Sequence, residues 1–153
     1  MNRKCRRWQK GTELVEFAFT SIFLFMLLFG IIEFSIVLYD KATITNASRE
    51  GARTGILFRQ GTRTIGGLTS EDDAIEAAVR DYADAYLISL GGPATLDVQI
   101  QRTDRNGDGA FNAGDELTVS AIYPYDFLLL PAFANSMIGG VRNIAATSVM
   151  RAE

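Results

Sequence analysis

The chain has 153 residues, of which 22% are charged and 48% apolar, with a formal net charge of −3. That length holds one modest domain or a smaller one with an anchor, the apolar share excludes a disordered chain, and the mild charge gives no reason to expect nucleic acid as a partner. Histidine is absent and Cys5 is the only cysteine, which removes Ser-His-Asp and Cys-His catalysis, most catalytic zinc sites, histidine pH switching and any intramolecular disulfide.

The charge is unevenly placed. Residues 1–11 carry Arg3, Lys4, Arg6, Arg7 and Lys10 and no acid, so the remainder is acidic. From Phe17 to Tyr39 the sequence reads FAFTSIFLFMLLFGIIEFSIVLY, with Glu33 its single charge. A bilayer core of about 30 Å needs roughly 20 apolar residues, and this run is long enough. The basic residues before it place the N-terminus in the cytoplasm and the chain beyond Asp40 outside the membrane. A secretory signal peptide fits poorly, because its apolar region is shorter and ends at a small-residue cut site. A lipoprotein signal fails too, since Cys5 precedes the apolar run. The expected segments are a leader over 1–11, a transmembrane helix over 12–39, a helical stem over 40–58 and an outer domain over 59–153.

Beyond the membrane, Ile44, Ala47, Gly51 and Gly55 recur at helical steps. This stripe of small side chains predicts a helix continuing into the stem and packing closely, most simply on its own outer domain. Gly61 to Gly67 reads as a loop. Ser70 with Asp73 reads as a capping box, followed by an apolar helical stripe of Ile75, Val79, Tyr82, Tyr86 and Leu90, stopped by Gly91-Gly92-Pro93. Leu96, Val98 and Ile100 alternate with polar residues, as do Leu117, Val119, Ala121 and Tyr123; both runs predict half-buried strands. Residues 143–151 are a third strand candidate. Phe127 to Ala134 is an apolar stretch too short to span a membrane. It covers the sheet, or dips toward the membrane or a partner subunit. The fold class is therefore α+β: a long N-terminal transmembrane helix and stem packed with one helix and an antiparallel sheet of about three strands.

The link between the first two strands, Asp104 to Glu116, matches D-x-[DN]-x-[DN]-G with Asp104, Asn106, Asp108 and Gly109. Ala110 would offer its carbonyl, Asn112 stands at the ninth position, and Asp115 takes the twelfth in place of glutamate. Three carboxylates wrapped around one point suit a hard cation, so the spacing predicts a structural Ca2+ site that rigidifies the hairpin. The plain alternative is an acidic turn, since Asn-Gly and Asp-Gly are turn signals in their own right.

The boundary Lys10-Gly11-Thr12-Glu13-Leu14-Val15-Glu16-Phe17 resembles the class III signal of type IV pilins and pseudopilins. The resemblance implies a prepilin peptidase cut between Gly11 and Thr12. It also implies that Glu16, the fifth mature residue, followed by Phe17, pairs with the new N-terminal amine of a neighbouring pilin subunit. Without a partner, a carboxylate at a helix start would simply favour the positive end of the helix dipole. Further on, Val15-Glu16-Phe17-Ala18, then Phe29-Gly30-Ile31-Ile32-Glu33-Phe34, then Ala47-Ser48-Arg49-Glu50-Gly51-Ala52-Arg53 are similar to the TadE-like family of Flp (tight adherence) pilus assembly. The end Ser148 to Glu153 is similar as well. This resemblance implies a non-enzymatic, pilin-like minor pilin or assembly factor in the cytoplasmic membrane, working with inner-membrane pilus machinery and lipid. Glu33 is then either a subunit-assembly residue or a carboxylate just reaching headgroup water. The alternative is a membrane-tethered, calcium-dependent adhesion module outside any pilus. A surface hydrolase has no recognisable carboxylate pair to support it.

Overall fold

A computed structural model describes residues 6–57, 71–89, 95–127 and 142–152, with side chains from Gly11 onward. The expected loop at 61–67, the capping Ser70, Leu90, the Gly-Gly-Pro stop and most of the 127–134 stretch lie outside the described residues. Helix α1 runs without interruption over Arg6–Leu57, 52 residues. No proline occurs in it, so nothing breaks the ladder between membrane run and stem. Helix α2 spans Glu71–Tyr86 and opens with Glu71, Asp72 and Asp73, acids that suit the positive end of its dipole. Strands β1 (Asp97–Thr103), β2 (Glu116–Tyr125) and β3 (Arg142–Arg151) form one antiparallel sheet in the order β1-β2-β3. This is the expected α+β arrangement, with the strand order now added.

Strict alternation along β2 puts Leu117, Val119, Ala121, Tyr123 and Tyr125 on the buried face. Pro124 is tolerated in this central strand because β1 pairing ends at Asp97↔Ile122, so only β3 runs alongside it there. The buried face packs on α1, and α2 closes the other side of the core. On α2 the stripe departs from expectation: Ile75 and Val79 are buried, but Ala83 replaces Tyr86, which is 54% exposed. The small Ala83 allows a close approach where the helix ends, with Leu87 N–H donating to the Ala83 carbonyl at 2.7 Å. Arg102 of β1 reaches Asp72 of α2 at 2.5 Å and lies over the Phe111 ring, 5.6 Å from its centroid. Such surface pairs add little stability.

The small-residue stripe does pack on its own domain. Ile44, Ala47, Gly51 and Gly55 are all buried, and Ser48 meets Ser148 of β3 through a buried hydroxyl pair at 2.7 Å. A Cβ on Gly51 would overlap Val79 Cγ2 and stand 3.4 Å from the Ile75 carbonyl oxygen. A Cβ on Gly55 would overlap Leu117 Cδ2 and come within 2.7 Å of Ile75 Cδ1. The atoms met at Gly55 are the ends of flexible side chains, whereas Val79 is β-branched and stiff. Overpacking costs about 1–3 kcal/mol, against a helix gain of about 1 kcal/mol for glycine to alanine. Gly51→Ala should therefore lower the thermal midpoint of the full chain in detergent micelles, and more than Gly55→Ala does. Equal or inverted shifts would contradict this packing.

Candidate functional site

Three places carry the chemistry that the sequence singles out. The first is the N-terminal boundary. Gly11 lies inside α1, exposed, with open space around its Cα. The extended backbone that a protease subsite favours is thus not its resting form, because the helix begins as early as Arg6. Thr12, Glu16 and Phe17 are also helical and exposed. Glu16 and Phe17 stand about two turns, and Thr12 about three, before the first of the exposed Phe23, Leu27 and Ile31.

The second place is the junction between α1 and the end of β2. Glu33 is only 2% exposed, and the Tyr125 hydroxyl donates to its Oε1 at 2.8 Å. Within the single chain its carboxylate is covered by its own outer domain. The outer domain therefore begins to pack on the helix at residue 33, below the expected stem boundary at 40. Two turns further along the same helix face, Asp40 is fully buried. Ile88 N–H donates to its Oδ1 at 3.0 Å, while among the described residues its Oδ2 meets no hydrogen-bond donor. Burial raises the Asp40 carboxyl above the usual carboxylate range, with the Ile88 N–H pulling the other way. The sign follows: a raised folded value means Asp40 costs stability as pH climbs through that range, and none below it. Tyr123, buried beside this group, has its phenol pushed up by burial first and then by Asp40 and Asp126. Tyr125 and Tyr123 pack edge to face, with centroids 6.4 Å apart.

Asp40, Tyr123 and Tyr125 are not among the residues that sequence reasoning selected as a site. One signal was present. Glu33 and Asp40 fall in register with Ile36, Val37, Ile44 and Ala47, so the stripe that buries the stem extends two turns down into the apolar run.

The third place is the Asp104–Glu116 loop. Gly107 and Gly109 both have φ of 77° and Gly114 has φ of 105°, conformations that only glycine takes without strain. Asp104 lies at the centre of the turn: its Oδ1 accepts from Asn106 N–H at 3.1 Å and Gly107 N–H at 2.6 Å, and its Oδ2 from Gly109 N–H at 2.7 Å. The side chains of Asn106, Asp108 and Asn112 converge. Asn106 Nδ2 lies 3.0 Å from Asp108 Oδ2 and 2.9 Å from Asn112 Oδ1, and Asn112 Nδ2 also bonds Asp108 Oδ2. Ala110 donates its N–H to Asp108 Oδ1 at 2.8 Å. That bond, then those from the two asparagines, hold the exposed Asp108 carboxyl below the usual range.

Asp115 stands apart. It is fully buried, and its two oxygens accept Arg105 N–H at 2.9 Å and Asn112 N–H at 2.8 Å. It staples the two ends of the loop together. Backbone bonds from Gly114 N–H to the Ala152 carbonyl and from Ala152 N–H to the Asp115 carbonyl, both 2.8 Å, tie that staple to the end of β3. Among the described residues no three histidine, cysteine, aspartate or glutamate side chains come together as a metal cluster. The convergent set here is one carboxylate and two amides.

These features define a class: an α+β domain built directly on the far end of a helix long and apolar enough to cross a membrane, almost none of whose most apolar window is buried. Residues 11–53, the apolar run and most of the stem, match the family model described as TadE-like protein. Neither the curated proteins nor the solved structures returned a match. The matched segment ends within the glycine stripe and so includes Glu33, Asp40 and Gly51.

Proposed function

We propose that the chain is a non-enzymatic, single-pass component of Flp (tight adherence) pilus biogenesis, a minor pilin or an anchored assembly factor. The match over residues 11–53 carries this reading. In it the N-terminus is cytoplasmic, α1 spans the inner membrane and the outer domain is extracytoplasmic. A prepilin peptidase cuts between Gly11 and Thr12 after the first turns of α1 unwind locally, a step made cheaper by the glycine. Glu16 then pairs with the Thr12 amine of a neighbouring pilin subunit. A carboxylate in an apolar helix bundle is costly until matched, so cleavage would supply the cation that assembly needs. The inner-membrane pilus machinery is the further partner.

The Asp104–Asp115 loop is proposed to hold one structural Ca2+. The ligand spacing supports this, as does the convergence of Asn106, Asp108 and Asn112. Rotating the amides would turn their oxygens to the same point, since amide orientation is set by the local hydrogen-bond network. Asp115 would act by holding the loop closed.

Mass spectrometry of the N-terminus, in cells with and without the prepilin peptidase, tests the central claim. A new N-terminus at Thr12 that depends on the peptidase is the expected result. An intact leader in both strains would favour a tethered adhesion module instead.

A further inference from the structure

We infer that the lower end of the outer domain, at Phe127 beside Leu38 of α1, dips to the boundary between headgroups and acyl chains of the outer leaflet rather than standing above it, with the intervening Asp126 carboxylate at headgroup level. The inference rests on reading α1 as the membrane anchor and adds where the domain begins relative to the bilayer. The argument starts from two acids. Glu16 and Glu33 bracket the uncharged residues 17–32, which rise roughly 24 Å as a helix. A hydrocarbon core is about 30 Å thick, so roughly 6 Å of extra helix must come from beyond one acid.

The two ends differ in what that would cost. Toward the cytoplasm, Glu16 and Glu13 are exposed on the helix, and in a chain not yet paired with a neighbouring subunit, sinking them brings bare carboxylates into hydrocarbon. Toward the outside, Glu33 is already sealed from its surroundings by Tyr125. The next six residues, Phe34 to Tyr39, carry no charge. The outer end is the one that can sink.

The surface at that level fits lipid. On the side of α1 that the domain leaves bare, Phe34 is 63% exposed, Leu38 55% and Tyr39 46%. This strip is continuous with the apolar surface of the membrane run. On the domain side, Phe127 packs edge to face on Tyr125 with centroids 5.4 Å apart. Arg142, paired with Tyr125 across β2 and β3, is exposed, whereas Lys41, two turns above Glu33, donates to the Ala145 carbonyl of β3. Aromatic rings with basic groups just beyond them are the pattern that anchors proteins at the headgroup layer. A neighbouring copy of α1 could cover the bare strip instead, and a disulfide-linked Leu38→Cys dimer would reveal it.

Single-cysteine chains test this. In a Cys5→Ser background, Phe25→Cys, Leu38→Cys, Phe127→Cys and Arg53→Cys would each be labelled with a nitrobenzoxadiazole dye. The full chain is then reconstituted in phosphatidylcholine vesicles with and without brominated acyl chains. Bromolipid is expected to quench the labels at 25, 38 and 127 by at least half relative to plain vesicles, and the label at 53 by almost nothing. Quenching at 25 with none at 38 and 127 would overturn the inference while leaving the anchor intact. No quenching at 25 would overturn the anchor itself. Unlabelled Leu38→Cys that forms a disulfide-linked dimer, with its label unquenched, would give the strip to a second copy and also overturn the inference.

Discussion

Tyr125→Phe should destabilise the full chain in detergent micelles by about 1.5–3 kcal/mol, the range for losing a hydrogen bond to a charged partner. The substitution removes one oxygen and leaves the ring in place, so packing against Tyr123 and Phe127 survives. What is lost is the donor to Glu33, a carboxylate only 2% exposed. Glu33→Gln keeps an acceptor for the tyrosine and should cost less than about 1 kcal/mol, near the net worth of a neutral hydrogen bond. Glu33→Ala should cost more than Glu33→Gln, because it leaves the buried phenol without its acceptor. A double-mutant cycle between positions 33 and 125 should return a coupling of at least about 1 kcal/mol. Thermal unfolding of the parent, the three single variants and the double variant measures all of this. A Tyr125→Phe chain as stable as the parent would show that the domain does not rest on this contact.

The second large effect belongs to the loop. Asp115→Ala removes both charge-assisted bonds that close the β1–β2 connection, and should cost about 2–4 kcal/mol. Part of the loss is recovered by water, because Arg105 is exposed. Asp115→Asn keeps one oxygen acceptor and should fall between the parent and alanine. Asp108→Asn changes an exposed group and should move stability much less. The same variants separate the calcium reading from a plain turn. With about 5 mM Ca2+, well above the weak affinities of extracellular sites, the parent should melt higher, and Asp108→Asn should lose that rise. A parent chain indifferent to calcium would leave Asp104–Glu116 as an acidic turn closed by Asp115.

The two periodicities made much of the architecture readable. A run of apolar residues at every angle from Phe17 marks the anchor, and a glycine and alanine stripe at helical steps marks the stem. Alternation at Leu117, Val119, Ala121 and Tyr123 marks the central strand. These are local patterns, set by the geometry of one helix or one strand. The contacts that were not readable join distant parts of the chain. Tyr125 and Glu33 are separated by 92 positions, and nothing local to either residue announces the other. The same cause hid the swap of Ala83 for Tyr86 on α2, which depends on how close the neighbouring elements lie. Asp115 is hard to read for a different reason. In the segment Asp104 to Asp115 the spacing of a cation loop and the chemistry of a tight turn use the same letters, and only the buried position of Asp115 shows that it closes the loop.

The unbroken α1 has a mechanical consequence. No joint separates the part that would lie in lipid from the part that carries the sheet, so the domain inherits every change of angle in the anchor. From Glu33 to Leu57 the helix rises roughly 36 Å. A change in bilayer thickness that tilts the anchor by about 10° swings Leu57 sideways by roughly 6 Å, more than the spacing between two strands. With α1 read as a membrane anchor, the outer domain is a pointer on a stiff lever, and any tilt of the anchor moves it.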